Sequence, residues 1–278
     1  MLKSSERERL VEVTKNVRKD ILEMGPRSGC SVHIGGSLSC VEILTTLYYK
    51  IMRIDPENPK WEDRDRFILS KGHSCAALYA VLSRKGFFDR ELLWKYHHIN
   101  SKLQGHPDMK KTPGIDMTSG SLGNGLSLGL GMAKGLKKQK KTSQVYVVLG
   151  DGEIQEGMVW EAALAAGDMH MDNLTAVVDY NHIQSGTDLN IVMPLHPLVE
   201  KWKAFGWNVL EANGHDLDDL YSKLDIARNY TGRPTVIIAN TVKGKGVSFI
   251  EHNGLWHNRM ITEEEMKNAF AEIDAADL

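Results

Sequence analysis

A chain of 278 residues with 42% hydrophobic and 25% charged residues suits one large α/β domain or two small ones, with the composition of an ordinary globular protein. A formal net charge of −2 gives no electrostatic basis for binding nucleic acid or an anionic membrane, and the histidines are dispersed. Cys30, Cys40 and Cys75 form no CxxC pair, the amino terminus lacks an apolar signal core, and no apolar run approaches the roughly 20 residues a membrane span needs. The expectation is a soluble, cytoplasmic protein.

In chain order, Leu10, Val13, Val17, Ile21 and Met24 recur at helical spacing from Ser4 or Ser5, and Gly25-Pro26 predicts the end of that helix. The stretch Cys30 to Ser39, rich in Gly and Ser and containing His33, reads as a loop, with Ser39 as the cap of a helix over Val41 to Ile51. Arg66 to Ser70 reads as a short buried strand opening onto Lys71-Gly72-His73, followed by a helix from Cys75 to Lys85. Asp89 to His98 reads as helical, and Gly105-His106-Pro107 leads into a turn-rich stretch ending in Gly120-Ser121-Leu122-Gly123-Asn124-Gly125. Those glycines allow close approach to a flat ring or a phosphate, or serve only as tight turns. A small-residue helix over Leu126 to Leu136 follows; its Gly129-Leu130-Gly131 lacks a preceding strand and the third glycine of a dinucleotide fingerprint. The basic run Lys137 to Lys141 reads as a solvated connector.

The apolar run Val145 to Leu149 ends in Gly150-Asp151-Gly152, a helix reaches about Met169, and a second apolar run, Leu174 to Val178, closes on Asp179-Tyr180-Asn181. Two successive strands thereby deliver an aspartate and an asparagine to one carboxyl edge, where open α/β sheets bind ligands. Carboxylate, amide and carbonyl oxygens are hard ligands suited to Mg²⁺ or Ca²⁺ that also holds phosphate oxygens. Further on, Pro197 to Phe205 reads as a helix, Trp207 to Glu211 as a strand, Asp216 to Asn229 as a helix capped by Asp216, and Pro234 to Asn240 as a strand. The last strand empties into Thr241-Val242-Lys243-Gly244-Lys245-Gly246, before His257 and a short acidic helix from Thr262. About five strands separated by helices predict a doubly wound, mainly parallel α/β sheet with helices on both faces.

The spacing from Gly152 to Asn181 resembles the thiamine diphosphate signature of the transketolase superfamily. With His33, Lys71-Gly72-His73, Gly105-His106-Pro107 and Lys243 to His257 in the same order, nearly the whole chain resembles the amino-terminal half of transketolase. The resemblance implies a single diphosphate-binding domain over 1–278 that binds thiamine diphosphate and Mg²⁺, with Ca²⁺ as an alternative ion. Asp151, Asn181 and the Ile183 carbonyl would hold the metal, while His73, Gly152, Lys243 and His257 would contact the diphosphate. Gly120 and Leu122 would line the aminopyrimidine, and Glu156 and Glu161 match acidic residues at a cofactor-sharing interface. His33, His73, His106 and His257 would surround the bound sugar and serve in proton transfer, a task for which near-neutral pKa values suit imidazoles.

In this sequence Asn258 follows His257 where the family has glycine. The pyrimidine-binding and C-terminal domains of a full transketolase have no counterpart here and are expected on a partner chain. The resulting expectation is one subunit of a split, heterotetrameric (α2β2) transketolase of the pentose phosphate type, inactive alone, transferring a glycolaldehyde unit between sugar phosphates. The alternatives are an α-type subunit of a 2-oxo acid dehydrogenase first component, which the histidine set disfavours, a deoxyxylulose phosphate type synthase, normally one long chain, and a non-catalytic cofactor-binding remnant. The failed fingerprint disfavours a nicotinamide oxidoreductase.

Overall fold

The computed structural model describes residues 2–276. Five parallel strands form the central sheet: β1 (Arg66–Leu69), β2 (Val145–Gly150), β3 (Leu174–Tyr180), β6 (Asn208–Asn213) and β7 (Thr235–Asn240), in the order β1-β2-β3-β7-β6. Two short strands, β4 (Ile183–Gln184) and β5 (Thr187–Asp188), pair as a hairpin directly after β3 and lead into the short helix α7 (Leu189–Val192).

Alternation along each strand divides the core between the two faces of the sheet. Phe67, Leu69, Tyr146, Val148, Val177 and Ile237 face α1 (Ser4–Ser28), α3 (Val41–Thr46), α4 (Cys75–Lys85) and α9 (Leu217–Asn229). Ile68, Val147, Leu149, Val178, Val236 and Ile238 face α5 (Asn124–Lys138), α6 (Gly157–Asp168) and α8 (Leu198–Ala204). Both faces are therefore covered, which is why these strands read as continuous apolar runs. The carboxyl end of α6 meets the chain after α8 so closely that a Cβ on Gly167 would overlap the Phe205 carbonyl oxygen.

The expected architecture is present, with local differences. Helix α1 runs past Pro26 to Ser28 and stops at Gly29, which is left-handed (φ 69°). The stretch expected to be a loop contains a one-turn helix, α2 (Ile34–Leu38), so Ser39 closes that turn while Cys40 precedes α3. Ser39 does not cap α3; its hydroxyl donates to the Asp179 carboxylate at 2.6 Å. The expected helix over Asp89 to His98 is a 3₁₀ turn over Arg90–Lys95, and α5 begins earlier than expected, at Asn124. The last helix, α10 (Glu263–Ala275), has 13 residues and a reciprocal Thr262/Glu265 capping box. No helix among the described residues is long and apolar enough to cross a membrane.

Candidate active site

Because the strands are parallel and in register (Leu69 beside Val148, Gly150 beside Asp179, Tyr180 beside Asn240), their carboxyl ends open on one edge. A cavity of about 500 Å³ lies there. Every site residue expected from the sequence lines it except Glu161, which is further along α6 and exposed. His33 comes from the turn before α2, His73 from the turn after β1, Asp151 and Gly152 from the end of β2, Asn181 from the end of β3, and Ile183 from β4. His106, Gly120 and Leu122 come from the turn-rich stretch, Glu156 from the start of α6, and Lys243 and His257 from the segment after β7.

The rings of His33, His73 and His257 form a triangle, with centroid separations of 5.3 Å (33–73), 5.2 Å (33–257) and 5.6 Å (73–257). Burial is the main cause of their lowered pKa values, about 4 for His33 and His257 and about 2 for His73, reinforced by neighbouring positive groups. The rings are therefore neutral near pH 7, with imidazole nitrogens able to accept or donate. His106, also lowered by burial, adjoins Gly120, where the φ of 146° disfavours a side chain and an added Cβ would crowd the His106 ring at 3.2 Å.

Two uncompensated buried charges face the same cavity. Lys243, 2% exposed, ion-pairs with no carboxylate among the described residues. Its ammonium instead reaches the Ser185 carbonyl (2.7 Å), the Ile183 carbonyl (3.3 Å) and His257 Nδ1 (3.3 Å). Burial, and then repulsion from Lys71, lower its pKa to about 8. Asp151, 3% exposed, accepts from the backbone N–H groups of Gly152 (2.8 Å) and His182 (2.6 Å) but forms no ion pair among the described residues. Burial, and then the charge of Asp179, push its carboxyl up to about 6. Buried charges are normally paired or ligated, so this pair of groups marks a place for a cation and an anion together.

The donor chemistry fits a metal bound to a diphosphate. Asp151 supplies a carboxylate oxygen, Asn181 an amide oxygen and Ile183 a carbonyl, while no cluster of three or more His, Cys, Asp or Glu side chains forms a metal site among the described residues. One carboxylate and two neutral oxygens leave coordination positions that phosphate oxygens fill, the habit of Mg²⁺. The Lys243 ammonium already lies at the Ile183 carbonyl, so a metal there requires it to turn toward the phosphate.

Several cavity residues had no role in the sequence-based reading. Lys71, 1% exposed, forms a buried ion pair with Asp179 and donates to the Gly36 carbonyl at 2.8 Å. Asp179 also accepts from Ser39 and Thr241, joining the ends of β1, β3 and β7 to α2. Glu153 accepts from Ser70, from Gly150 N–H (2.9 Å) and from Gly123 N–H (2.9 Å), tying β2 to the start of α5. The available signal was charge: Asp179 is the one charged member of β3, and Lys71 follows closely after β1 of the same sheet. Behind Lys243, His215 accepts at Nε2 from Val242 N–H (2.8 Å) and so donates from Nδ1 to Glu42 (3.0 Å), which ion-pairs with Arg18 on α1 (2.6 Å).

A parallel α/β sheet with oxygen donors, a buried ammonium and a histidine triangle at its carboxyl edge fits a cofactor-binding domain of the thiamine diphosphate class. The chain matches the family described as transketolase, thiamine diphosphate binding domain, over residues 7–273, and it belongs to that family. It is 45% identical to a 6-deoxy-6-sulfo-D-fructose transketolase subunit of Clostridium sp., covering 93% of this chain and 94% of that protein. It is 43% identical to one of the subunits of an apulose-4-phosphate transketolase of Phocaeicola vulgatus, covering 87% of this chain and 85% of that one. Against the transketolase of Rattus norvegicus it is 36% identical over 87% of its own length but spans 38% of that protein. Among solved structures, a Pichia stipitis transketolase superposes with a TM-score of 0.90 at 27% identity, covering 95% of this chain and 40% of that one.

Proposed function

We propose that this chain is the diphosphate-binding subunit of a two-chain transketolase that transfers a two-carbon ketol unit from a ketose to an aldose, with Mg²⁺ and thiamine diphosphate as cofactors. The observation that supports this most is the pair of uncompensated buried charges, Lys243 and Asp151, on a cavity that also holds three neutral histidine rings. The partner is a second chain with the pyrimidine-binding and C-terminal domains, in an α2β2 assembly in the cytoplasm.

Thiamine diphosphate supplies an electron sink for the carbanion of the two-carbon unit. The chain's own groups hold and orient. Asp151, Asn181 and the Ile183 carbonyl bind the metal, and Lys243 and Gly152 meet the diphosphate. Gly120 and Leu122 wall the ring site, and Glu156 lies at its rim toward the partner. His33, His73, His106 and His257, neutral at pH 7, accept and return hydroxyl protons and hold the sugar hydroxyls by hydrogen bonds. Sugar hydroxyls use such a cluster, which favours ketol transfer over oxidation of a 2-oxo acid.

Pentose phosphates were the expected substrates, but two similar proteins are named for a sulfo-sugar and a branched sugar phosphate. The test is ketol transfer with xylulose 5-phosphate, 6-deoxy-6-sulfofructose and apulose 4-phosphate as donors, on this chain alone and with the chain encoded beside its gene. Activity in the pair alone supports the reading. Activity of the single chain, or oxidation of 2-oxo acids by the pair without ketose cleavage, overturns it.

A further inference from the structure

A second cavity, of about 610 Å³, adjoins the first and shares two of its walls, His33 and His106. Its other lining groups include Ser31, His97, Gln104 and Asn258, and no lysine or arginine is among them. His97 and Asn258 have hydrogen-bonding capacity to spare: neither side chain hydrogen-bonds to another described residue. The Ser119 hydroxyl on the same cavity is buried and has no hydrogen-bond partner among the described residues.

Both residues are exposed, on backbone that is held in place. His97 sits in left-handed backbone (φ 61°), its N–H donates to the Leu103 carbonyl at 2.8 Å, and its ring packs on Tyr96 at 5.7 Å between centroids. Asn258 lies between His257 of the triangle and Arg259, whose backbone exchanges hydrogen bonds of 3.3 and 3.2 Å with Val32 beside His33. Its φ is not positive, so no backbone conformation here demands glycine, and the carboxamide is free for another role.

We propose that this second cavity is the subsite for the polyhydroxylated carbon chain of the sugar beyond its first two carbons, read at its hydroxyl groups by His97 and Asn258. The inference rests on the ketol-transfer reading above. A sugar whose reacting end lies among His33, His73 and His257 continues past those rings, and His33 and His106 are the walls the two cavities have in common. Imidazole and amide groups suit hydroxyls, and a site built to hydrogen-bond a hydroxyl discriminates strongly against a substrate lacking it. With no cation in its lining, this cavity selects chain length and hydroxyl configuration rather than a terminal anion.

Two measurements test it. In histidine-ring NMR of the full chain, ribitol 5-phosphate should shift the His97 signals, ethylene glycol at the same concentration should not, and Asn258→Gly should weaken the ribitol 5-phosphate effect at least about tenfold, some 1.4 kcal/mol. Absence of a His97 shift, or affinity within about twofold in N258G, overturns the subsite whether or not the enzyme turns over. In the two-chain enzyme, the ratio of kcat/KM for ribose 5-phosphate to that for glycolaldehyde as acceptor should fall about tenfold in N258G and in His97→Asn, mainly through KM. Asparagine tolerates the left-handed backbone, so H97N separates recognition from misfolding. A ratio within about twofold of wild type refutes the proposal, whereas a wild-type pair inactive with every sugar refutes the ketol-transfer reading and leaves the NMR result to decide the subsite.

Discussion

Replacing Lys71 with methionine should destabilise the chain by about 3–5 kcal/mol, the range for removing one partner of a buried ion pair. Asp179 is fully buried, and without Lys71 its carboxylate keeps only the Ser39 and Thr241 hydroxyls, while the Gly36 carbonyl loses one of its donors. Burial opposes both charges of the pair, yet the pairing wins: Lys71 is raised and Asp179 is lowered from its ordinary value. In wild type the carboxylate's contribution is thus present above the ordinary carboxylate range and lost as pH falls through the lowered value. In K71M burial is left to dominate, the carboxyl holds its proton more tightly, and the variant regains stability on acidification. The gap between wild type and K71M should therefore narrow from pH 7 to pH 5. Urea denaturation followed by tryptophan fluorescence at both pH values measures it, with K71M/D179N expected to cost about 2 kcal/mol less than the sum of the single changes. A K71M penalty below about 1 kcal/mol, or one identical at the two pH values, refutes the reasoning.

The lowered histidines set a second pH dependence: between pH 6.5 and about 4 the unfolded chain binds protons at His33, His73 and His257 that the folded chain refuses. Asp151, raised to about 6, opposes this with a single proton, so the cofactor-free chain should lose stability from pH 7 to pH 5; a denaturation midpoint that rises over that interval contradicts the assignment. Gly167→Ala should destabilise by about 3 kcal/mol or more, because the Phe205 carbonyl is backbone and cannot give way, whereas Gly131→Ala, with open space around its Cβ within α5, should stabilise by about 0.5–1 kcal/mol; thermal melts rank the two. Asp151→Ala should weaken thiamine diphosphate binding in the presence of Mg²⁺ by at least about a hundredfold, read by calorimetry on the two-chain complex, and EDTA should bring wild type to the level of the variant.

Strand ends were the legible part of this sequence. Apolar runs closing on Gly150-Asp151-Gly152 and Asp179-Tyr180-Asn181 announce a parallel sheet and its ligand edge, because a strand buried on both faces admits polar residues chiefly where it emerges. Residues that act across the fold were harder to read. Ser39 has the local profile of a helix cap, but the nearby Asp179 carboxylate is the stronger acceptor for its hydroxyl. Helix α2 has two glycines and weak intrinsic propensity, and it forms against packed surroundings: a Cβ on Gly35 would lie 3.1 Å from Lys243, and one on Gly36 3.1 Å from Ser74. The second cavity draws on the turns around His97, Gln104 and Asn258, segments far apart in sequence that no local periodicity connects.

The strand pairing has a consequence for how the molecule forms. Arg66 faces Val145 across α4, the turn-rich stretch and α5, and Leu174 to Tyr180 must wait for the chain beyond Asn229 before β7 can settle beside them. Both of these unions close long loops before any ladder bond rewards them, whereas β2 and β3 join across α6 alone, so β1 and the outer edge of β3 wait longest for a neighbour. Slow folding and a need for chaperone protection follow, and refolding yields in vitro should fall steeply as protein concentration rises.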